Sequence, residues 1–90
     1  MASGKLRSVL DRVLGGRADA NIAFTDLISL LAALGFEQRQ CGDHRILWKR
    51  GVAEIINLQP RMAKAKPYQV KQVRRILRKY ELGFDDEYAL

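Results

Sequence analysis

The apolar residues of this chain change period twice, and that change limits the folds open to it. Leu27, Leu30, Leu31 and Leu34 fall on one helical stripe. From Phe36 the helical period is lost, and β-branched and large apolar residues gather in "HRILWKR" and "VAEIINLQ". Helical spacing returns after Pro67, where Val70, Val73, Leu77 and Tyr80 share a stripe with Ile76 beside it. The pattern predicts α-β-β-β-α, with strands over 36–41, 44–50 and 53–59. Gly42 turns the first strand into the second, and Arg50-Gly51 turns the second into the third. Connections this short favour an antiparallel meander. Helices at its two ends can cover one face of the sheet and leave the other open, which makes the fold class α+β.

Local signals mark the ends of these elements. Thr25 is the expected N-cap of the first of these helices, Asp26 suits its positive end, and Gly35 sits where a left-handed cap is wanted. Pro60 should end the third strand, leaving "RMAKAK" as a basic loop. Pro67 suits the first turn of the last helix, and Gly83 is its expected stop. Upstream, Leu6, Val9, Leu10, Val13 and Leu14 predict an extra amphipathic helix over 5–14, capped by Ser3 and stopped by Gly15-Gly16. The expected organisation is an N-terminal extension over 1–23, a domain over 24–82, and an acidic tail over 83–90 in which Phe84 and Tyr88 are candidates to dock.

Ninety residues suffice for one small domain. One cysteine, Cys41, cannot form an internal disulfide, and it stands in no recognised cysteine-enzyme signature. No apolar run reaches the length of a membrane span, and no signal-peptide core is visible. A soluble cytoplasmic protein with no membrane partner is therefore expected.

The net charge of +6 points to a polyanionic partner. It is concentrated late in the chain: Arg61, Lys64, Lys66, Lys71, Arg74, Arg75, Arg78 and Lys79 occur without an intervening acid. Lys71, Arg75 and Arg78 recur at i, i+4 and i+7, so they share a face away from Val70, Val73 and Leu77. Lys64 and Lys66 precede that helix and extend the same basic segment. Such a face meets phosphates, meets an acidic protein, or is solvated surface.

The only histidine, His44, lies in "CGDHRILWKR" at the head of the second predicted strand. Read on its own, it is either an acid–base group or a structural residue at the edge of the core, because it shares strand parity with Ile46 and Trp48. Trp48, in an apolar strand, reads as core rather than as a platform for stacked bases. Asp43 either bonds its own turn backbone, the simpler reading, or orients the imidazole. A lone histidine among scattered acids has no metal-ligand spacing, and no cofactor is implied.

Taken together, "FTDLISLLAALGFEQRQCGDHRILWKR", "EIINLQP" and "KPYQVKQVRRIL" resemble the HicA family of toxins from bacterial toxin–antitoxin systems. The resemblance spans roughly 24–82 and rests on Gly35-Phe36 at the end of a helix, Gly42-Asp43-His44 before a strand, and a basic last helix. It implies a fold like that of a double-stranded-RNA-binding domain, ribosome-independent cleavage of messenger RNA, and inhibition by a HicB-type antitoxin. A free monomer that enters a hetero-oligomer with the antitoxin follows from that picture. The family's catalytic histidine carries over to His44. Three features depart from the pattern: Asp43 stands where serine or threonine is usual, Arg45 where many members have a second histidine, and the 5–14 helix is an addition.

The chemistry suits these residues. Attack of a ribose 2′-hydroxyl on the neighbouring phosphorus needs a base, and a histidine with pKa of about 6.5 serves near neutrality, typically contributing roughly 10²–10⁴-fold. Arg45 and Lys49 are candidates to stabilise the phosphate charge, and Lys64, Lys66, Lys71, Arg75 and Arg78 to track the RNA backbone. The competing expectation is a non-catalytic RNA-binding module, with a basic protein–protein adaptor as a third.

Overall fold

The computed structural model describes residues 3–84. Its elements run α1 (Gly4–Gly15), α2 (Phe24–Ala33), β1 (Glu37–Cys41), β2 (His44–Trp48), β3 (Ile56–Leu58), β4 (Pro60–Arg61), β5 (Lys64–Ala65) and α3 (Pro67–Lys79). Strands β1, β2 and β3 form an antiparallel meander in that order, and β4 and β5 form a separate short hairpin. The expected α+β class, with three helices and a three-stranded antiparallel sheet, is what the chain adopts.

A single apolar core joins all three helices to one face of the sheet. Val9 and Val13 of α1, Leu27, Leu30 and Leu31 of α2, Leu47, Ile56 and Leu58 of the sheet, and Val70, Val73 and Leu77 of α3 are all buried within it. Burying each such side chain stabilises the fold by about 1.5–3 kcal/mol. The N-terminal helix is thus packed into the same core as the segment over 24–82. Ser3 caps it as expected, its Oγ accepting from Leu6 N–H at 3.1 Å. At its other end Arg74 Nη1 donates to Val13 O at 3.0 Å and Arg78 Nη2 to Leu14 O at 2.7 Å. These carbonyls have no partner inside the helix, and two guanidinium groups from α3 satisfy them.

Several boundaries differ from expectation, each for a tertiary reason. Helix α2 starts at Phe24, with Ala23 rather than Thr25 at the cap and no capping side chain. Phe24 N–H instead donates to Ala63 O at 3.0 Å, so the β4–β5 hairpin supplies the acceptor that a side chain normally would. The basic loop over 61–66 is itself largely that hairpin, and Ala65 N–H donates to Ile22 O at 2.9 Å. Strand β2 stops at Trp48 and β3 starts only at Ile56. The segment between is drawn toward the end of α3, where Tyr80 Oη accepts from Ala53 N–H at 3.1 Å and donates to Glu54 Oε1 at 2.7 Å.

Both later helices end on the same backbone device. After α2, Gly35 takes φ 99° and Phe36 N–H reaches back to Leu31 O at 3.0 Å, as its position predicts. After α3 the left-handed residue is Glu81, at φ 53°, and Leu82 N–H reaches Leu77 O at 2.8 Å. The helix therefore stops at Lys79, before Gly83, and half-buried Leu82 and Phe84 pack on the core. Tyr88 and the rest of the acidic tail lie outside the described residues. Among the described residues, no helix is long and apolar enough to cross a membrane.

Candidate active site on the open sheet face

The register of the meander decides which side chains face solvent. Leu47 pairs with Ile56, and Arg45 with Leu58, so these share the face covered by the helices. By alternation His44, Ile46 and Trp48 lie on the other face, with Asn57 paired to Ile46 across the strands. On β1, Cys41, Arg39 and Glu37 stand opposite His44, Ile46 and Trp48. A slip of one residue would bury Ile46 and Trp48 and expose Leu47, so core packing fixes this arrangement. Trp48 is accordingly not in the core: it is 36% exposed on the open face.

His44 follows a two-residue turn in which Gly42 takes φ 63°. Positive φ at the first central position suits a tight hairpin, and glycine takes it without strain. Gln40 Nε2 braces the turn by donating to Gly42 O at 3.2 Å. The His44 side chain remains 42% exposed, so the imidazole is within reach of a ligand.

A hydrogen-bonding partner holds that ring on one side, and a carboxylate stands near the other. Nδ1 lies 2.8 Å from Asn57 Oδ1. With the amide oxygen as acceptor, Nδ1 carries the proton and the lone pair of the neutral ring resides on Nε2. Nε2 in turn lies 3.8 Å from Asp43 Oδ1. Asp43 Oδ2 accepts from Gln59 Nε2 at 3.0 Å, and Lys66 Nζ donates to Gln59 Oε1 at 3.2 Å. The Gln59 hydrogen bond holds the Asp43 carboxyl below its ordinary pKa, with smaller contributions from its own backbone N–H and from the charges of His44 and Lys66. Asp43 thus stands beside the imidazole beyond hydrogen-bond distance, and its side-chain partner is Gln59.

The other predicted site residues divide. Lys66 is the one whose side chain joins the His44 network, through Gln59. Arg45 projects to the covered side of the sheet, where Nη1 donates to Gln38 Oε1 at 2.6 Å. Lys49 lies beyond the far end of β2, about 16 Å along the strand from His44, with Nζ over Gly35 at the C-terminus of α2. A cation there complements the helix dipole. Lys64 Nζ donates to Asn21 Oδ1 at 3.1 Å, and Arg78 is engaged with the end of α1. Lys71 and Arg75 are exposed on α3.

Asn57 and Gln59 were not singled out from the sequence. Their signal is weak but present: each is a polar residue adjoining Leu58 in an apolar run, where alternation assigns it to the open face. Among the described residues, no group of three or more histidine, cysteine, aspartate or glutamate side chains is placed to hold a metal ion.

Chemically, the arrangement offers an exposed nitrogen at Nε2, an acceptor at Asn57 Oδ1 that fixes the tautomer, and a carboxylate beside the position where a proton would arrive. Comparison with models of known protein families, with curated proteins and with solved structures returned no significant match.

Proposed function

We propose that the chain is an endoribonuclease toxin of the HicA kind, cleaving messenger RNA without a metal and held in check by a HicB-type antitoxin. The observation that carries this reading is the His44 site, with Asn57 on Nδ1 and Asp43 beside Nε2 on an open face. The order α2, β1 to β3, α3 agrees with the fold like that of a double-stranded-RNA-binding domain that the resemblance implies.

In this reading Nε2 takes the proton of a ribose 2′-hydroxyl. The 2′-oxygen bonds to the adjacent phosphorus, and the bond from phosphorus to the 5′-oxygen breaks. The imidazolium so formed sits beside the Asp43 carboxylate. Water supplies the proton for the departing 5′-oxygen, and Lys66 offsets charge gathering at the phosphate. A single imidazole cannot act as base and acid at one instant, so turnover is slow, which suits a toxin acting on messenger RNA in the cytoplasm. The antitoxin supplies an acidic surface for the basic chain, and the free toxin is a monomer.

The exposed pair Lys71 and Arg75 favours a second reading, RNA binding without cleavage, because these residues lie on α3 apart from the His44 network. Substrate chemistry separates the two. Cleavage should leave a cyclic phosphate or its hydrolysis product, and an oligonucleotide with 2′-deoxy sugars should survive. Binding with no cleavage of any RNA supports the module, and equal cleavage of DNA rules out attack by the 2′-hydroxyl.

A further inference from the structure

The open sheet face carries an exposed tryptophan on the same strand as His44. Trp48 and His44 stand four residues apart on β2, about 13 Å along the strand, with Ile46 between them. Arg39 lies opposite Ile46 on the same face and is exposed. An indole, a guanidinium and an imidazole thus share one face of the sheet.

We propose that this face binds single-stranded RNA, with one base stacked on the Trp48 indole, the backbone passing Arg39, and the bond to be cut at His44. The inference rests on the ribonuclease reading and adds the path of the substrate and the residue on which a base stacks. Two observations favour RNA as the occupant. The chain carries a net charge of +6 and sets Arg39 at the centre of the face. The bases of a duplex are stacked within it, whereas those of a single strand can be splayed onto an aromatic side chain. Two carboxylates bound the path: Glu37 opposite Trp48 and Asp43 beside His44, the latter bonded to Gln59. Their repulsion of phosphate confines the contact to a short run of nucleotides between them.

Trp48 is the only tryptophan in the chain, so its emission reports this face alone. The test titrates the non-cleaving His44→Ala protein with a short single-stranded oligoribonucleotide, following Trp48 fluorescence and the anisotropy of labelled RNA together. Saturable quenching that tracks binding is expected, with a matched duplex binding more weakly. Trp48→Ala in the same background should weaken binding roughly five- to 150-fold, as for loss of one stacked base, and Trp48→Phe should recover most of it. Circular dichroism checks that both variants fold. Binding without quenching, unaffected by Trp48→Ala, would overturn the inference, leave cleavage standing, and assign Trp48 to a protein partner. Equal binding and quenching by the duplex would overturn the single-strand assignment. Absence of binding, together with no cleavage of the same RNA by the parent protein, would overturn the ribonuclease reading as well.

Discussion

His44 and Asn57 are held together across two strands of the meander, with Nδ1 and Oδ1 2.8 Å apart and the residues 13 positions apart in sequence. The contact exists because Ile46 pairs with Asn57, which places the amide diagonally beside the imidazole on the open face. It fixes the ring and leaves Nε2 as its free nitrogen. In the proposed mechanism Asn57 acts through His44 and is a positioning residue.

Asn57→Ala should lower the rate of RNA cleavage about tenfold, within the range for loss of a group that orients a histidine, with little change in KM. Asn57→Asp retains an acceptor and should keep more of the rate, and its extra negative charge should move the pH–rate profile to higher pH. Initial rates on a short RNA across pH 5–9 check both. An unchanged rate and profile in both variants would remove Asn57 from the mechanism.

Glu54 contributes a pH-dependent part of the stability in acid. Hydrogen bonds from Lys79 and then Tyr80 lower its pKa from the ordinary 4.5 to about 2. A carboxyl depressed on folding stabilises the native state fully above its unfolded pKa, and loses that contribution as pH falls through the folded one. The stabilisation is thus present at neutrality, declines below pH 4.5, and is gone below about 2. Glu54→Gln should melt lower than the parent at pH 7, and the gap should narrow steadily as pH falls from 4.5 toward 2. Thermal melts at stepped pH test this, and a gap independent of pH would contradict it.

Arg74 ties α1 to α3. It donates to Asp19 through both guanidinium nitrogens, at 2.9 and 3.2 Å, and to Val13 O, and the pair is mostly buried. Its loss leaves a partly buried carboxylate and a helix end unsatisfied, so Arg74→Ala should cost about 2–3 kcal/mol in urea denaturation. Fluorescence and circular dichroism should report one shared transition, because α1 belongs to the common core.

On α3, Lys71 and Arg75 are exposed, whereas Arg78 holds the Leu14 carbonyl. If Lys71 and Arg75 each meet one phosphate of a single strand, changing both to glutamine should flatten the slope of log affinity against log salt by about 1.4. Stability should stay near the parent value, since glutamine is a comparable helix former. Adding Arg78→Gln should lower stability as well. Binding isotherms at several salt concentrations, beside urea melts, separate the two effects.

Helix number, strand order and the open face were legible because apolar spacing reports secondary structure directly. Leu27, Leu30 and Leu31 are buried as their stripe predicts, and Gly35 takes its left-handed turn. Sheet parity was less legible. Leu47 and Trp48 are adjacent apolar residues, and only pairing of Leu47 with Ile56 over the helices decides which one is buried. The start of α2 and the β4–β5 hairpin escaped because Phe24 N–H finds its acceptor at Ala63, far along the chain. At the candidate site, Gly42-Asp43-His44 marked the candidate base, but the places of Asn57 and Gln59 and the turn of Arg45 toward the covered side depend on register.

The central claim is that the His44 imidazole moves the proton in RNA cleavage. The most direct measurement incubates purified protein and its His44→Ala variant with a long RNA in EDTA, after circular dichroism shows that both are folded. The account predicts cleavage by the parent protein and a loss of at least about 100-fold in the variant. Cleavage at the parental rate by folded His44→Ala would contradict it.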